Sequence, residues 1–185
     1  MKRIVGILCL LVLLTGCTGK EAELDRAMSL RAKLLAQGVS FDADITADYG
    51  DKTYTFSMNC QTDTQGNLTF TVTAPTTITG VTGTVSATGG KLTFNDQALA
   101  FDLMADDQLS PVSGPWILMQ TLRSGYLTSC TVEDGLLRVA IDDSYEEDAL
   151  HLDIWLDEND LPVRGEILWE GRRLLSITVK NFAFL

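Results

Sequence analysis

The spacing of apolar residues changes several times along the chain. Ile4–Leu14 is a continuous apolar run of 11 residues. From Glu21 the apolar positions recur at helical spacing, which predicts an amphipathic helix over Ala22–Gln37 that ends at Gly38. From Val39 the period becomes two, which is typical of strands with one buried face.

Strand-like alternation accounts for most of the remaining sequence. Residues 39–73 indicate three strands with turns at Gly50-Asp51 and Gln65-Gly66-Asn67, and residues 78–101 indicate shorter strands interrupted by glycines. Residues 126–182 indicate five more strands joined by short turns. Connections this short make neighbouring strands antiparallel. We therefore predict a mainly β (α+β) fold with about eleven strands.

One segment within the β region returns to helical spacing. Ser113 is suited to an N-cap and Pro115 to the first turn, so the pattern predicts a helix over Pro115–Arg123. This helix is apolar nearly all round and must be covered on more than one side. We expect it to lie in the concave face of a strongly curved sheet.

The N-terminus has the features of a secretory signal peptide. Lys2-Arg3 precedes the apolar run, and Leu14-Thr15-Gly16-Cys17 resembles a bacterial lipobox. The resemblance implies cleavage after Gly16 and acylation of Cys17, with residues 17–20 as a short tether and residues 21–185 as a single domain. The run is shorter than the roughly 20 residues that a membrane-spanning helix needs. We expect an extracytoplasmic protein anchored by lipid to the bacterial cell membrane.

Charge and cysteine content narrow the possible partners. Loss of residues 1–16 removes two basic residues and changes the formal net charge from −11 to −13. Nucleic acid is an improbable partner because binding to its phosphates depends on basic clusters. After removal of Cys9 and acylation of Cys17, two cysteines remain. Cys60 and Cys130 form either a disulfide or two buried free thiols, and the sequence leaves both alternatives open.

Catalytic and metal-binding chemistry find little support in the sequence. His151 is the only histidine, and no nucleophile motif accompanies it, so we interpret it as an ordinary strand residue beside Asp153. The acidic run Asp142–Asp148 lacks the glycine of a calcium loop and is better explained as a solvated hairpin loop. The sequence predicts no enzyme activity, no cofactor and no metal site.

Several short motifs resemble a known family. Ala74-Pro75 with Gly80, then Gly90-Lys91-Leu92-Thr93-Phe94-Asn95, and finally Leu161-Pro162-Val163 before Glu166-Ile167 resemble the conserved strands of LolA/LolB-like lipoprotein carriers and of the N-terminal domain of MucB/RseB-type regulators. The resemblance covers Glu21–Leu185 and implies an unclosed half-barrel with its helices in the concave face. The arginine that helps to hold the lid of the lipoprotein carrier has no match in this sequence.

This resemblance implies a cavity in the concave face, which apolar and aromatic side chains would line. The candidate lining residues are Tyr54, Phe56, Met58, Trp116, Met119, Trp155 and Trp169. Each could equally belong to an ordinary core. Two functions remain open: a lipid-anchored binding protein that holds an acyl chain or lipoprotein-like apolar ligand, or an envelope protein-interaction or sensor module whose core its own side chains fill.

Overall fold

Eleven strands form a single antiparallel sheet that does not close on itself. The computed structural model describes residues 18–105 and 108–185; the predicted signal peptide and Cys17 lie outside the described residues. In sheet order the strands are β6-β5-β4-β3-β2-β1-β13-β12-β11-β10-β9, so β6 and β9 form the two edges. The fold class predicted from the sequence, a mainly β half-barrel with two helices, is confirmed.

The elements follow one another along the chain in an order close to that predicted. A long helix precedes eight strands, a 3₁₀ turn and a second helix follow, and five strands end the chain. Their bounds are α1 (Thr18–Ala36), β1 (Val39–Asp48), β2 (Thr53–Thr62), β3 (Leu68–Ala74), β4 (Thr82–Ser86), β5 (Gly89–Phe94), β6 (Gln97–Phe101), β7 (Met104–Ala105), β8 (Gln108–Leu109), the 3₁₀ turn (Pro111–Ser113), α2 (Gly114–Ser124), β9 (Tyr126–Glu133), β10 (Leu136–Asp142), β11 (His151–Leu156), β12 (Pro162–Trp169) and β13 (Arg172–Phe184).

Helix α2 lies against the concave face of the sheet, as its apolar surface requires. Leu118 is fully buried, and its side chain packs over Gly165 of β12, where a Cβ atom would lie 2.4 Å from Leu118 Cδ1. Near the start of the helix, Gly114 lies close to Leu175 and Ile177 of β13 in the same way. The glycines at these two positions therefore allow the helix to approach the sheet closely.

Helix α1 packs beside α2 and next to the edge strand β9. Leu30 and Leu34 are buried in the common core. Arg31 donates hydrogen bonds of 2.7 and 2.8 Å to the carbonyl oxygens of Leu122 and Gly125. These carbonyls belong to the C-terminal end of α2, which lacks intrahelical donors and favours a cation. Arg31 therefore joins the two helices through an otherwise unsatisfied helix end.

Some local predictions need correction. The N-terminal helix begins at Thr18 and leaves no tether in residues 18–20. Residues 78–81 are not a strand: they belong to a turn after β3, in which Thr79 Oγ1 donates to the carbonyl oxygen of Pro75. Ser113 does stand at the N-cap of α2, but its hydroxyl donates to Ser110 O and caps no helix N–H. Such local side-chain to backbone bonds compete directly with capping.

Candidate ligand cavity

The concave face has a filled part and an open part. From β9 to β3 it is covered by α1 and α2, and its apolar side chains belong to the core. From β4 to β6 it becomes exposed: Leu99 is 65% exposed and Phe94 is 46% exposed. These side chains lie on the same face as buried Phe70, because Phe70 pairs with Gly83, Gly83 with Leu92, and Leu92 with Leu99. The apolar surface thus continues beyond the part that the helices cover.

A cavity of about 490 Å³ lies where the filled part meets the open part. Tyr54 and Phe101 contribute aromatic rings, and the segment after β8 contributes further apolar surface. The lining consists of Tyr49, Tyr54, Phe101, Asp102, Leu109, Ser110 and Pro111. This volume and this mostly apolar lining are in the range of small-molecule sites. We call this the lip cavity.

Tyr49 fixes one wall of the lip cavity. Its hydroxyl donates a hydrogen bond to the carbonyl oxygen of Leu109, which ties the β1–β2 hairpin to the segment that leads into α2. Burial raises the pKa of the Tyr49 phenol, so the group stays a neutral donor at physiological pH. The ring of Tyr49 also lies edge-on to Tyr54, with centroids 6.1 Å apart.

The structure brings only one of the candidate residues, Tyr54, into the lining of the lip cavity. The others on the concave side take part in packing: Phe56, Met58, Trp116 and Met119 are at most 9% exposed, and half-buried Trp169 packs against the core. Trp116 Nε1 donates a hydrogen bond of 2.8 Å to Gly66 O, so the polar group of this buried side chain is satisfied inside the protein. These side chains fill the interior together with α2.

Trp155 lies on the outer face of the sheet. Its neighbours Ile154 and Leu156 are fully buried in the core, whereas Trp155 points the opposite way. Its ring lies 4.3 Å from the guanidinium of Arg164 and 5.9 Å from that of Arg138, and Nε1 donates to Glu133 Oε2. The long arginine side chains cover the ring, which explains why it is only 8% exposed. The structure does not place Trp155 with the other candidates.

Sequence reasoning missed most of the residues that line the lip cavity. Alternation places Tyr49 and Phe101 in predicted strands, and no pattern assigns a role to Leu109 or Pro111. Strand alternation shows that two side chains share a face, but it does not show which distant segment covers them. The Tyr49 and Tyr54 pair across the first hairpin was the one signal that could have indicated this end of the sheet.

The alternative of a disulfide between Cys60 and Cys130 is wrong, because both cysteines are free in the structure. Cys60 lies in β2 and Cys130 in the edge strand β9, with five strands between them in the sheet order. Cys60 is 4% exposed, and this burial raises the pKa of its thiol far above the ordinary value. Cys130 is half-buried, and burial raises its pKa as well.

The outer face offers a different kind of surface. A polar depression of about 640 Å³ crosses β1 to β5 and is lined mainly by hydroxyl and amide side chains, among them Asn59, Gln61, Thr71 and Thr82. Near the other edge, His151 Nδ1 lies 2.6 Å from Asp142 Oδ1 and its Nε2 lies 3.6 Å from Asp153 Oδ1. Within residues 18–105 and 108–185, no group of three or more histidine, cysteine or acidic residues could hold a metal ion.

Comparison with known proteins finds similarity in fold. No protein-family model matches the sequence, and no curated protein matches it. Similar solved structures include a LolA superfamily protein from Nitrosomonas europaea, with 9% identity, a TM-score of 0.47 and coverage of 86% of this chain and 93% of that chain. The lipoprotein LppX from Mycobacterium tuberculosis has 15% identity, a TM-score of 0.42 and coverage of 87% and 93%.

The MucA/MucB complex of Pseudomonas aeruginosa is also similar, with 17% identity, a TM-score of 0.41 and coverage of 86% of this chain and 57% of that chain. The LolA superfamily and MucB, which the sequence motifs resembled, are thus among the proteins of similar fold. At these identities the likeness concerns the fold alone. Among the described residues, no helix combines the length and the apolar character that crossing a membrane would require.

Proposed function

We propose that this chain is a non-enzymatic, lipid-anchored extracytoplasmic protein that binds an apolar ligand in the lip cavity. The observation that carries the proposal is an apolar cavity of about 490 Å³ between Tyr54, Phe101 and Leu109, next to uncovered apolar side chains. Phe94 and Leu99 extend the apolar surface outward along β5 and β6. A ligand with one long apolar chain, such as an acyl chain, fits a cavity whose apolar lining continues outward over Phe94 and Leu99.

The proposed anchor is Cys17. Its support is the sequence: the basic start, the apolar run and Leu14-Thr15-Gly16-Cys17. Two or three acyl chains would hold the protein stably on a membrane, whereas a single chain gives marginal binding. The domain of residues 21–185 would then be exposed outside the cytoplasm, with the membrane as its first partner and an apolar lipid as its ligand.

Native mass spectrometry of residues 18–185 tests the ligand. We expect a co-purifying adduct that organic extraction removes, and rebinding of palmitate as a defined probe. Tyr54→Ser and Phe101→Ser should weaken palmitate binding about tenfold, since each removes much of the apolar lining. Thr55→Ser is the matched control, because Thr55 is the neighbour of Tyr54 in β2 and projects from the other face. Absence of both adduct and palmitate binding would overturn the proposal.

A second function has its own support, namely how completely the chain fills its own concave face. Leu118 and Met119 are at most 1% exposed, and Trp116 is only 8% exposed. A protein with such an interior needs no ligand for its core and could serve as an interaction or sensor module for another envelope protein. A bare, stable protein in the mass spectrum, together with a specific cross-linked protein partner at the cell surface, would favour this second function.

A further inference from the structure

We propose that the groove between α1 and the edge strand β9 is a membrane-docking surface, and that the lipid bilayer is its occupant. The proposal rests on the acylated Cys17 of the proposed function. The proposal goes beyond that function, because it states which face of the domain meets the membrane and therefore how the anchored protein is oriented. We call the surface formed by Leu24, Met28, Leu35, Leu127, Cys130 and Val132 the α1–β9 surface.

The α1–β9 surface carries an exposed apolar stripe on its helix side. On α1, Leu24, Met28 and Leu35 are 44%, 45% and 53% exposed. At 100° per residue these three positions fall within 40° of one another, so they form one stripe along the helix. This stripe lies beside the buried stripe of Leu30 and Leu34 and does not take part in the core.

The strand side of the α1–β9 surface continues this stripe. Leu24 lines a depression of about 340 Å³ together with Leu127 and Cys130 of β9. Val132, two residues beyond Cys130 and therefore on the same face, is 57% exposed although its partner Leu137 is fully buried. The sheet thus ends at β9 with apolar side chains that α1 covers only in part: Leu127 and Cys130 are half-buried, and Val132 is exposed.

The position of Cys17, directly before α1, indicates what occupies the α1–β9 surface. Thr18, the residue that directly follows Cys17, already belongs to α1. An acylated Cys17 therefore leaves no flexible tether between the bilayer and the helix. At 1.5 Å per helical residue, Leu24 lies about 10 Å from Cys17 along the helix axis. The first turns of α1 are then held in the lipid headgroup region, where an exposed apolar stripe is stabilised by burial at the edge of the acyl chains.

The charged residues near the start of α1 determine which lipid headgroups favour docking. Glu21, Glu23 and Asp25 lie in the first turns of α1 beside a single lysine, Lys20, and Arg26 is paired with Asp160 at 2.6 Å. The anchored end of the domain is therefore acidic and lacks the cluster of free basic residues that binding to anionic headgroups requires. We expect docking on zwitterionic lipid and weaker docking as the fraction of anionic lipid rises.

Quenching of tryptophan fluorescence by brominated phosphatidylcholine tests the surface in the full, acylated chain in vesicles. Met28→Trp places a reporter in the α1–β9 surface, and Ala98→Trp places one in the opposite edge strand β6, at an exposed position on the outer face, away from the proposed ligand surface. After subtraction of the signal of the native tryptophans, we expect quenching at position 28 to be at least about twice that at position 98. Introducing Leu24→Ser and Val132→Ser beside the Met28→Trp reporter should reduce the difference.

The outcomes separate the anchor from the docking surface. Intact mass measurement of the same sample reports whether Cys17 carries acyl chains. If it does not, the anchor and the docking surface are both overturned. If Cys17 is acylated but positions 28 and 98 are quenched equally, docking alone is overturned. If mass measurement finds residues 1–16 still attached, and cross-links join residues 4–14 to Met28, then the chain's own apolar segment occupies the groove and the bilayer does not.

Discussion

Trp116 Nε1 donates a hydrogen bond of 2.8 Å to the carbonyl oxygen of Gly66, which fastens α2 to the β2–β3 turn. This bond gives a helix surrounded by apolar side chains a directional contact, whereas the hydrophobic effect itself is non-directional. Nearby, Arg123 donates to the carbonyl oxygens of Leu34 and Thr64 and holds the end of α2 to α1 and to the same turn. The interior is thus fixed by few polar contacts.

Trp116→Ala should destabilise the protein without emptying the lip cavity. Truncation of this buried side chain leaves a cavity in the core, and we expect a loss of about 3–5 kcal/mol in the free energy of unfolding. Trp116→Phe keeps most of the volume but leaves Gly66 O without its donor, which should cost about 1–3 kcal/mol. Denaturant unfolding measures both. If Trp116→Ala weakened palmitate binding while stability stayed unchanged, the assignment of Trp116 to packing would be wrong.

Trp155→Ala tests the assignment of this residue to the outer face. The ring packs between Arg138 and Arg164, so its removal should lower the free energy of unfolding by about 2–4 kcal/mol. Palmitate binding should stay within about twofold of that of the unmodified chain, because the ring and the lip cavity lie on opposite faces. Tyr54→Ser, at the cavity itself, provides the positive control for the binding measurement. A joint loss of binding and stability beyond what unfolding explains would contradict this placement.

The two free cysteines should differ in reactivity. The thiolate is the reactive form, and burial both raises the pKa of Cys60 and shields its sulfur. Cys130 is half-buried in the edge strand and should react with iodoacetamide at least about tenfold faster than Cys60 under native conditions. Peptide mass spectrometry after timed alkylation measures the two rates. In denaturant the rates should converge, and intact mass should show no disulfide before reduction.

The fold was predictable to the level at which alternation and helical spacing determine it. The burial pattern of β1 alternates residue by residue as expected, and the helix predicted at Pro115–Arg123 begins and ends within one residue of α2. The lip cavity was not predictable, because it depends on Phe101 and Leu109 meeting Tyr54 across the half-barrel. Contacts between segments that are far apart in the sequence leave no local pattern from which they could be predicted. The sequence leaves the choice between a disulfide and two free thiols open for the same reason.

Acid should weaken the outer face of the central strands through Asp44. Its carboxylate accepts hydrogen bonds of 2.5 Å from Lys180 Nζ and 2.6 Å from Ser57 Oγ, and the Lys180 bond is the main cause of the lowered pKa of Asp44. A folded-state pKa below the unfolded value of about 3.9 stabilises the protein above that value, and the stabilisation is lost as pH falls through the folded-state pKa.

Comparison with Asp44→Asn isolates this contribution. The difference in the free energy of unfolding between the unmodified chain and Asp44→Asn should shrink as pH falls from about 5 to about 2. Lys180→Met, which removes the main cause of the shift, should make the difference less dependent on pH and leave the smaller effect of the Ser57 hydrogen bond. Salt should reduce the effect, since the pair is largely exposed. A difference that grew on acidification would show that the sign of the Asp44 shift is wrong.

Gly90→Ala should change the shape of the lip cavity by displacing the Phe101 ring. The ring of Phe101 lies directly over Gly90, so that a Cβ atom there would fall 2.1 Å from Phe101 Cζ. The ring must move, and since it lines the cavity, we expect palmitate binding to weaken about tenfold while the sheet remains folded. In Gly90→Ala with Phe101→Ala the clash disappears, and adding the glycine substitution to Phe101→Ala should weaken binding little further. Additive losses in this double-mutant cycle would show that Gly90 acts on the strand itself and not through the Phe101 ring.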